Sequence, residues 1–251
     1  KLSPIEGGVK DNAHFGFDVD ISQHGILVGA PFDEKGSVFA YALEDDGGYG
    51  TPVKLTDSDG KSDFGKAVAS STSYVAVGAP SDGGAIVVLK PDGSGGWVEV
   101  TTLSGPDGSG DFGTAIAISD DYIVAGAWGT QSPAVCSGAA YIFAGSSSDG
   151  WELEQELTAY DGGEYDAFGY SVALTGTRAM IGAPGYAANG NYAGTVYVYE
   201  RGTGGSWDQS DRLLASDRQQ WDYFGCTIAL SAAHAFVAAC DDDDNGESSG
   251  S

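Results

Sequence analysis

The segment FGYSVALTGTRAMIGAP, Phe168 to Pro184, holds two apolar runs parted by Thr175-Gly176-Thr177, the pattern of a β-hairpin. Both of its ends recur along the chain. Phe-Gly stands at Phe15-Gly16, Phe64-Gly65, Phe112-Gly113, Phe168-Gly169 and Phe224-Gly225, at spacings of 49, 48, 56 and 56 residues. Gly-Ala-Pro begins 14 residues after the Phe at Gly29, Gly78 and Gly182, becomes Gly126-Ala127-Trp128 in the third copy and Ala238-Ala239-Cys240 in the fifth. A third landmark is an aromatic six residues before a leucine: Tyr49/Leu55, Trp97/Leu103, Trp151/Leu157 and Trp207/Leu213.

Between these landmarks each unit predicts four short strands. After the hairpin, AGTVYVYE (Ala193–Glu200) alternates valine and tyrosine, residues that favour a pleated surface. In WELEQEL (Trp151–Leu157), Trp151, Leu153 and Leu157 share one face and three glutamates the other, which is period 2 and a strand. Asp/Gly/Ser segments such as DSDGKSD (Asp57–Asp63) supply the turns between units. A period of about 50 residues with four strands per copy predicts an all-β protein, a β-propeller of four-stranded blades. A single such sheet cannot bury either face alone, so blades must stack. The phenylalanines are expected to fill the gaps between them.

Composition agrees. The chain has 251 residues, with 40 glycines that fit a turn-rich fold. Its 36 acidic against 11 basic residues give a formal net charge of −25. Such a surface repels a phosphate backbone and an anionic bilayer, which excludes nucleic acid and direct membrane insertion as partners. No apolar run approaches the length of a membrane-spanning helix.

The Phe-Gly and Gly-Ala-Pro signatures resemble those of FG-GAP repeat proteins, related to the propeller of integrin α subunits, over essentially the whole chain. The variant here is closest to the one common in secreted and surface proteins of microbes and algae. The resemblance implies a seven-bladed propeller with five repeats visible, starting near 15, 64, 112, 168 and 224. Residues 1–14 are expected to hold the last strand of a preceding blade and a linker, because Lys1-Leu2-Ser3 matches Lys54-Leu55-Thr56. The last repeat is incomplete, so the rest of the chain or a neighbouring subunit is expected to complete the blades. The implied role is a non-catalytic extracellular or cell-surface module that binds a protein or glycan, as in adhesion. The alternatives are a structural subunit of a fibre or matrix and, less favoured, a propeller enzyme.

In that family calcium commonly occupies the turn between strands 1 and 2, but the turns here are SQHG, SSTS, SDDY, TGTR and SAAH, and Asp120-Asp121 cannot supply the 6–8 oxygens calcium takes. Calcium is therefore assigned instead, as an optional ligand, to Asp57, Asp59 and Asp63, with thinner versions at Asp107/Asp111 and Asp161/Glu164/Asp166; the plain alternative is that these are Asx-turns joining blades. No cofactor is required. Gly246-Glu247-Ser248-Ser249-Gly250 has the letters of a nucleophile elbow but no strand-to-helix context, so no catalytic residue is assigned. The loops after Gly-Ala-Pro vary most between copies and carry the candidate binding residues Asp33, Glu34, Trp128, Tyr186, Tyr192, Asp241 and Asp242. Strand 1 begins where strand 2 ends, so these loops and those entering Phe-Gly share one acidic rim, expected to attract cations or a basic partner. Cys226 and Cys240 fall on neighbouring strands of one hairpin. They form a disulfide if the intervening turn has an odd number of residues; a two-residue turn at Ala232-Ala233 would leave two ordinary core thiols on opposite faces.

Overall fold

The computed structural model describes residues 2, 4, 8–106, 109–131, 134–146, 150–187, 192–243 and 249–251. Eighteen strands and no helix are found among them. The first sheet is β1 (Val19–Ser22), β2 (Gly25–Ala30), β3 (Ser37–Tyr41) and β4 (Val53–Leu55); the second is β5 (Ala67–Ser70), β6 (Val75–Ala79), β7 (Ala85–Pro91) and β8 (Trp97–Ser104). The third is β9 (Ala115–Ile118), β10 (Tyr122–Ala127), β11 (Ala139–Ser146) and β12 (Gly150–Leu157). The fourth is β13 (Ser171–Thr175), β14 (Arg178–Ala183), β15 (Thr195–Arg201) and β16 (Trp207–Leu213), and a fifth sheet holds β17 (Phe224–Leu230) and β18 (Ala235–Ala239). Every pairing is antiparallel and consecutive. The strands that open each unit line up across the sheets, with β1 against β5, β5 against β9, β9 against β13 and β13 against β17. No comparable contact between described residues returns β17 to β1, so the five units form an arc of propeller blades without a visible closure. The described residues before Phe15 carry no strand, although Leu2 and Val9 pack against the cluster of Val28, Ala30, Phe39 and Tyr41.

The hydrophobic clusters lie across the seams between sheets. One joins Tyr74, Ile86 and Leu103 of the second sheet to Ile123, Tyr141 and Phe143 of the third, with Phe112 between them. Phe64, Phe112 and Phe168 are all buried, as expected for residues filling those gaps. The backbone shows why the signature takes this form. Phe64, Phe168 and Phe224 each make a parallel bridge to a glycine of the preceding unit, Gly36, Gly138 and Gly194. The glycine after every Phe has φ between +84° and +95°, a conformation open to glycine at little cost. Its carbonyl then lies against the first glycine of the preceding Gly-Ala pair, where a Cβ would collide at Gly29, Gly78, Gly126 and Gly182. The two signatures are the halves of one interlock between neighbouring units. Ala238 stands at that place in the fifth unit.

A second seam contact escaped the sequence reading. The hairpin turn of one sheet sends an aromatic ring edge-on to the tryptophan that opens the fourth strand of the next: His24 to Trp97 (5.5 Å), Tyr74 to Trp151 (5.5 Å) and Tyr122 to Trp207 (5.3 Å). Edge-to-face pairs at this spacing are favourable beyond the area they bury.

Candidate functional site

The rim where β1, β5, β9, β13 and β17 begin is shaped by the residue before each Phe. His14, Asp63, Asp111, Ala167 and Tyr223 all adopt φ between +53° and +62°, which turns the chain sharply into the first strand. The rim therefore presents two positions per unit: the residue after Phe-Gly (Phe17, Lys66, Thr114, Tyr170, Cys226) and the residue after Gly-Ala (Pro31, Pro80, Trp128, Pro184), with Cys240 in the fifth unit.

Across the third to fifth units these positions border a cleft of about 560 Å³. Trp128, Tyr165, Tyr170, Tyr192 and Tyr223 line it, together with Pro184, Asp241, Cys226 and Cys240. The rings of Trp128 and Tyr170 meet at 6.2 Å between centroids. On the other side Tyr192 stacks on Trp221 at 4.6 Å with planes 10° apart, and Trp221 contacts Tyr223 at 6.2 Å. Trp221 stays 47% exposed and Tyr165 is exposed too. Four of these aromatics have left-handed backbones: Tyr165 (φ 64°), Tyr192 (φ 47°), Trp221 (φ 78°) and Tyr223 (φ 54°). The conformation belongs to the repeat, since Asn12 (φ 64°), His14 (φ 53°) and Glu34 (φ 61°) adopt it at the same places of the first unit.

Cys226 and Cys240 are joined by a disulfide with their Cα atoms 6.1 Å apart. The turn between β17 and β18 holds four residues, Ser231 to His234, and the register runs in step from Leu230↔Ala235 to Thr227↔Ala238. An even turn should leave the two cysteines on opposite faces. The register then jumps to Phe224↔Ala239, and this β-bulge at Gly225-Cys226 turns the Cys226 side chain towards Cys240. Turn parity was the wrong criterion, because it ignores a bulge.

Of the expected binding residues, Trp128, Tyr192 and Asp241 come together in the cleft. Asp33 does not face a partner: it is 1% exposed, accepts hydrogen bonds from Lys10 N (3.0 Å) and Ser37 Oγ (2.8 Å), and pairs with Lys54 Nζ at 2.7 Å. Burial pushes its carboxyl up, but these donors outweigh burial and hold it below the ordinary value. Glu34 beside it is exposed and 3.4 Å from Lys10 Nζ. Tyr186 belongs to an internal network. Asp161 accepts from Tyr186 Oη (3.0 Å), Tyr197 Oη (2.7 Å) and Arg212 Nη1 (2.6 Å), and burial followed by Asp161 raises the Tyr186 phenol. Asp242 is buried and its carbonyl accepts from Gly250 N.

Around the calcium candidate the described side chains make turn contacts, and Asp57 Oδ1 is buried without a hydrogen-bond partner. Asp57 Oδ2 accepts from Lys61 N (2.6 Å), Asp63 Oδ2 accepts from Ser81 Oγ (2.7 Å), and Asp59 is exposed. The Lys35 ammonium lies over Gly60 within the same loop. Among the described residues no three His, Cys, Asp or Glu side chains gather as metal ligands. In the strand 1–2 turns, Asp120 Oδ1 accepts from Ser73 N of the neighbouring unit (2.9 Å). Asp107, Asp244, Glu247 and Ser248 lie outside the described residues. The acidic rim is also less free than a count of its residues implies, since Asp166 and Asp222 are buried and accept from Gly163 N and Gln219 N.

Tyr165, Tyr170, Trp221 and Tyr223 were missed as site residues. Their signal was available: Tyr165 and Trp221 each stand three residues before the Phe of their unit.

The family model for the FG-GAP repeat matches residues 1–41, 97–143, 151–199 and 207–251. The segment 42–96 lies outside the match, although β5 to β7 within it continue the same architecture. No curated protein matches the chain significantly. With four matched regions spanning most of its length, and with Phe-Gly and Gly-Ala interlocked from unit to unit, the chain belongs to the FG-GAP repeat family.

Proposed function

We propose that this chain is a non-catalytic recognition module that works outside the cell or at its surface and binds a protein or glycan at the rim carrying the Phe-Gly and Gly-Ala loops. One observation carries this reading: the cleft on that rim lined by Trp128, Tyr165, Tyr170, Tyr192 and Tyr223, with Trp221 stacked on Tyr192 beside it. Of these rings Tyr165 and Trp221 stay exposed. Aromatic side chains with rigid positions and one open face are the usual anchors of a recognition surface.

The test is a binding screen on arrays of extracellular proteins and glycans. Wild type is compared with a Trp128→Ala/Tyr170→Ala double variant and with an Asp46→Ala variant in the β3–β4 turn. Loss of a partner only in the cleft variant is the expected result. Full binding by the cleft variant would overturn the assignment.

A further inference from the structure

We propose that this chain carries a stop against end-to-end addition of a second copy of itself, and that Ala238 sets it. The partner held off is the first unit of another copy, and the surface that holds it off is the outer face of the fifth unit. The stop does not depend on what the cleft binds.

Each inner seam is made of two halves. The later unit brings Phe-Gly, and the earlier unit brings the glycine of Gly-Ala together with a second glycine that bridges to the Phe. At the two ends of the arc each half stands alone. Phe15-Gly16 keeps the form of the others: Gly16 has φ +90° and a Cβ there would touch nothing, while Phe15 is half-buried against Phe39. Val19, placed after its Phe as the buried Val68 and Val172 are after theirs, is 57% exposed. At the other end Gly250 has φ +70° and donates to Asp242 O, as the bridging Gly194 has φ +79° and donates to Tyr186 O. Phe236 holds the place of Leu27, Ala76, Val124 and Met180, which are buried in the inner seams, yet it is 70% exposed. Two apolar faces that form opposite sides of one repeat seam are thus open on the same molecule. Contacts between unlike faces of this kind propagate into filaments unless their rotation closes a ring.

One methyl group breaks the match. A Cβ on Gly29, Gly78, Gly126 or Gly182 would overlap the carbonyl oxygen of the next unit's Phe-Gly. Ala238 stands 14 residues after Phe224, as each of these glycines stands after its own Phe. It lies across the hairpin from Thr227 as Gly182 lies across from Ser171, so its Cβ points where theirs would point. The Gly16 carbonyl of a second copy, arriving as Gly65 arrives at Gly29, would meet that methyl. Both sides of the collision are strand backbone, which yields little, so the incoming unit stands off. A gap of even an ångström forfeits much of the packing along the rest of the face. The fifth unit thus retains the bridging glycine and replaces the one that admits a neighbour.

The experiment is sedimentation velocity on the 251-residue chain over a concentration series, at high salt so that the net charge of −25 is screened. Wild type is compared with Ala238→Gly and with Ala238→Ser, which keeps a Cβ. Wild type and Ala238→Ser are expected to stay monomeric throughout. Ala238→Gly restores the residue with which the other four units fold, and a far-UV spectrum matching wild type checks that it has folded. Its average mass should rise with concentration, with an association constant at least about tenfold above that of wild type. Adding Val19→Lys on the first unit's open face should return this variant to monomer. Three results would each overturn the assignment: an Ala238→Gly chain as monomeric as wild type, a wild type or Ala238→Ser chain that associates as strongly, or association that Val19→Lys leaves intact.

Discussion

Phe168 offers the sharpest test of how the units hold together. Its ring is 0% exposed and contacts Tyr197 at 5.3 Å and Tyr199 at 6.2 Å between centroids. Its backbone bridges to Gly138 of the preceding unit. Phe168→Ala keeps the bridge and empties the ring site between the third and fourth sheets. A cavity of that size with rigid tyrosines on one side relaxes little, so the cost should be about 3–5 kcal/mol. With a urea m-value of about 3 kcal/mol per M for a chain of this length, the midpoint should fall by about 1.3 M for a loss of 4 kcal/mol. The assay is urea denaturation followed by tryptophan fluorescence, with Tyr160→Ala, at a side chain 73% exposed, as the control. A midpoint shift no larger than the control's would refute the claim that the phenylalanines join the sheets.

Replacing Cys226 and Cys240 together by serine opens a loop whose ends are 14 positions apart and should cost about 3 kcal/mol, matched by adding a reductant to wild type; a reductant that leaves wild-type stability unchanged contradicts it. Asp33→Asn should cost about 2 kcal/mol by weakening the charged contact with Lys54. Because the folded carboxyl is held below its unfolded value of about 3.9, this stabilisation is complete at neutral pH and is lost as pH falls through the folded value; a difference between wild type and variant that persists undiminished in strong acid would count against it. Asp166 has the opposite sign: burial raises its carboxyl, so the folded state gains stability relative to the unfolded as pH falls through the raised value. Asp166→Asn, whose amide oxygen still accepts from Gly163 N, should therefore raise the melting temperature near pH 7 and lose that advantage in acid; a lower melting temperature at pH 7 would exclude it.

The strands were legible because their chemistry is local. Alternation in WELEQEL and the break at Thr175-Gly176-Thr177 each report on a few consecutive residues, and β12, β13 and β14 follow them closely. The repeat spacing carried the architecture, and the buried Phe64, Phe112 and Phe168 bear that out. What stayed hidden was the direction of side chains in the loops. Asp33 and Tyr186 look like free recognition residues in a variable loop, but Lys54 and Arg212, which claim Asp33 and the Asp161 bonded to Tyr186, come from fourth strands far along the chain. The Cys226–Cys240 pair was named from the sequence, but the turn length could not decide it, since a bulge of the backbone changes which face a residue points to without leaving a mark in the hairpin length. The cleft was half visible, in Trp128, Tyr192 and Asp241, because variable loops draw attention. Its other wall comes from residues placed at fixed offsets from Phe-Gly, where the repeat itself disguised them.

The matched family segments also have a bearing on how such a chain grows. The stretch 97–143 contains β8, which completes the second sheet, and then β9 to β11, which found the third; 151–199 likewise takes β12 and runs into β15. The matched segment is thus out of phase with the sheet by one strand. Tandem duplication of one such segment in a gene finishes the sheet before it and begins another that its copy will finish. Every interior sheet in the lengthened product is sewn from two copies, so a newly gained repeat is tied in by a full ladder of hydrogen bonds. Excision of one segment closes the same way, joining the strand before it to the strand after it in the correct order. A change in repeat number made this way leaves no unfinished sheet in the middle of the chain.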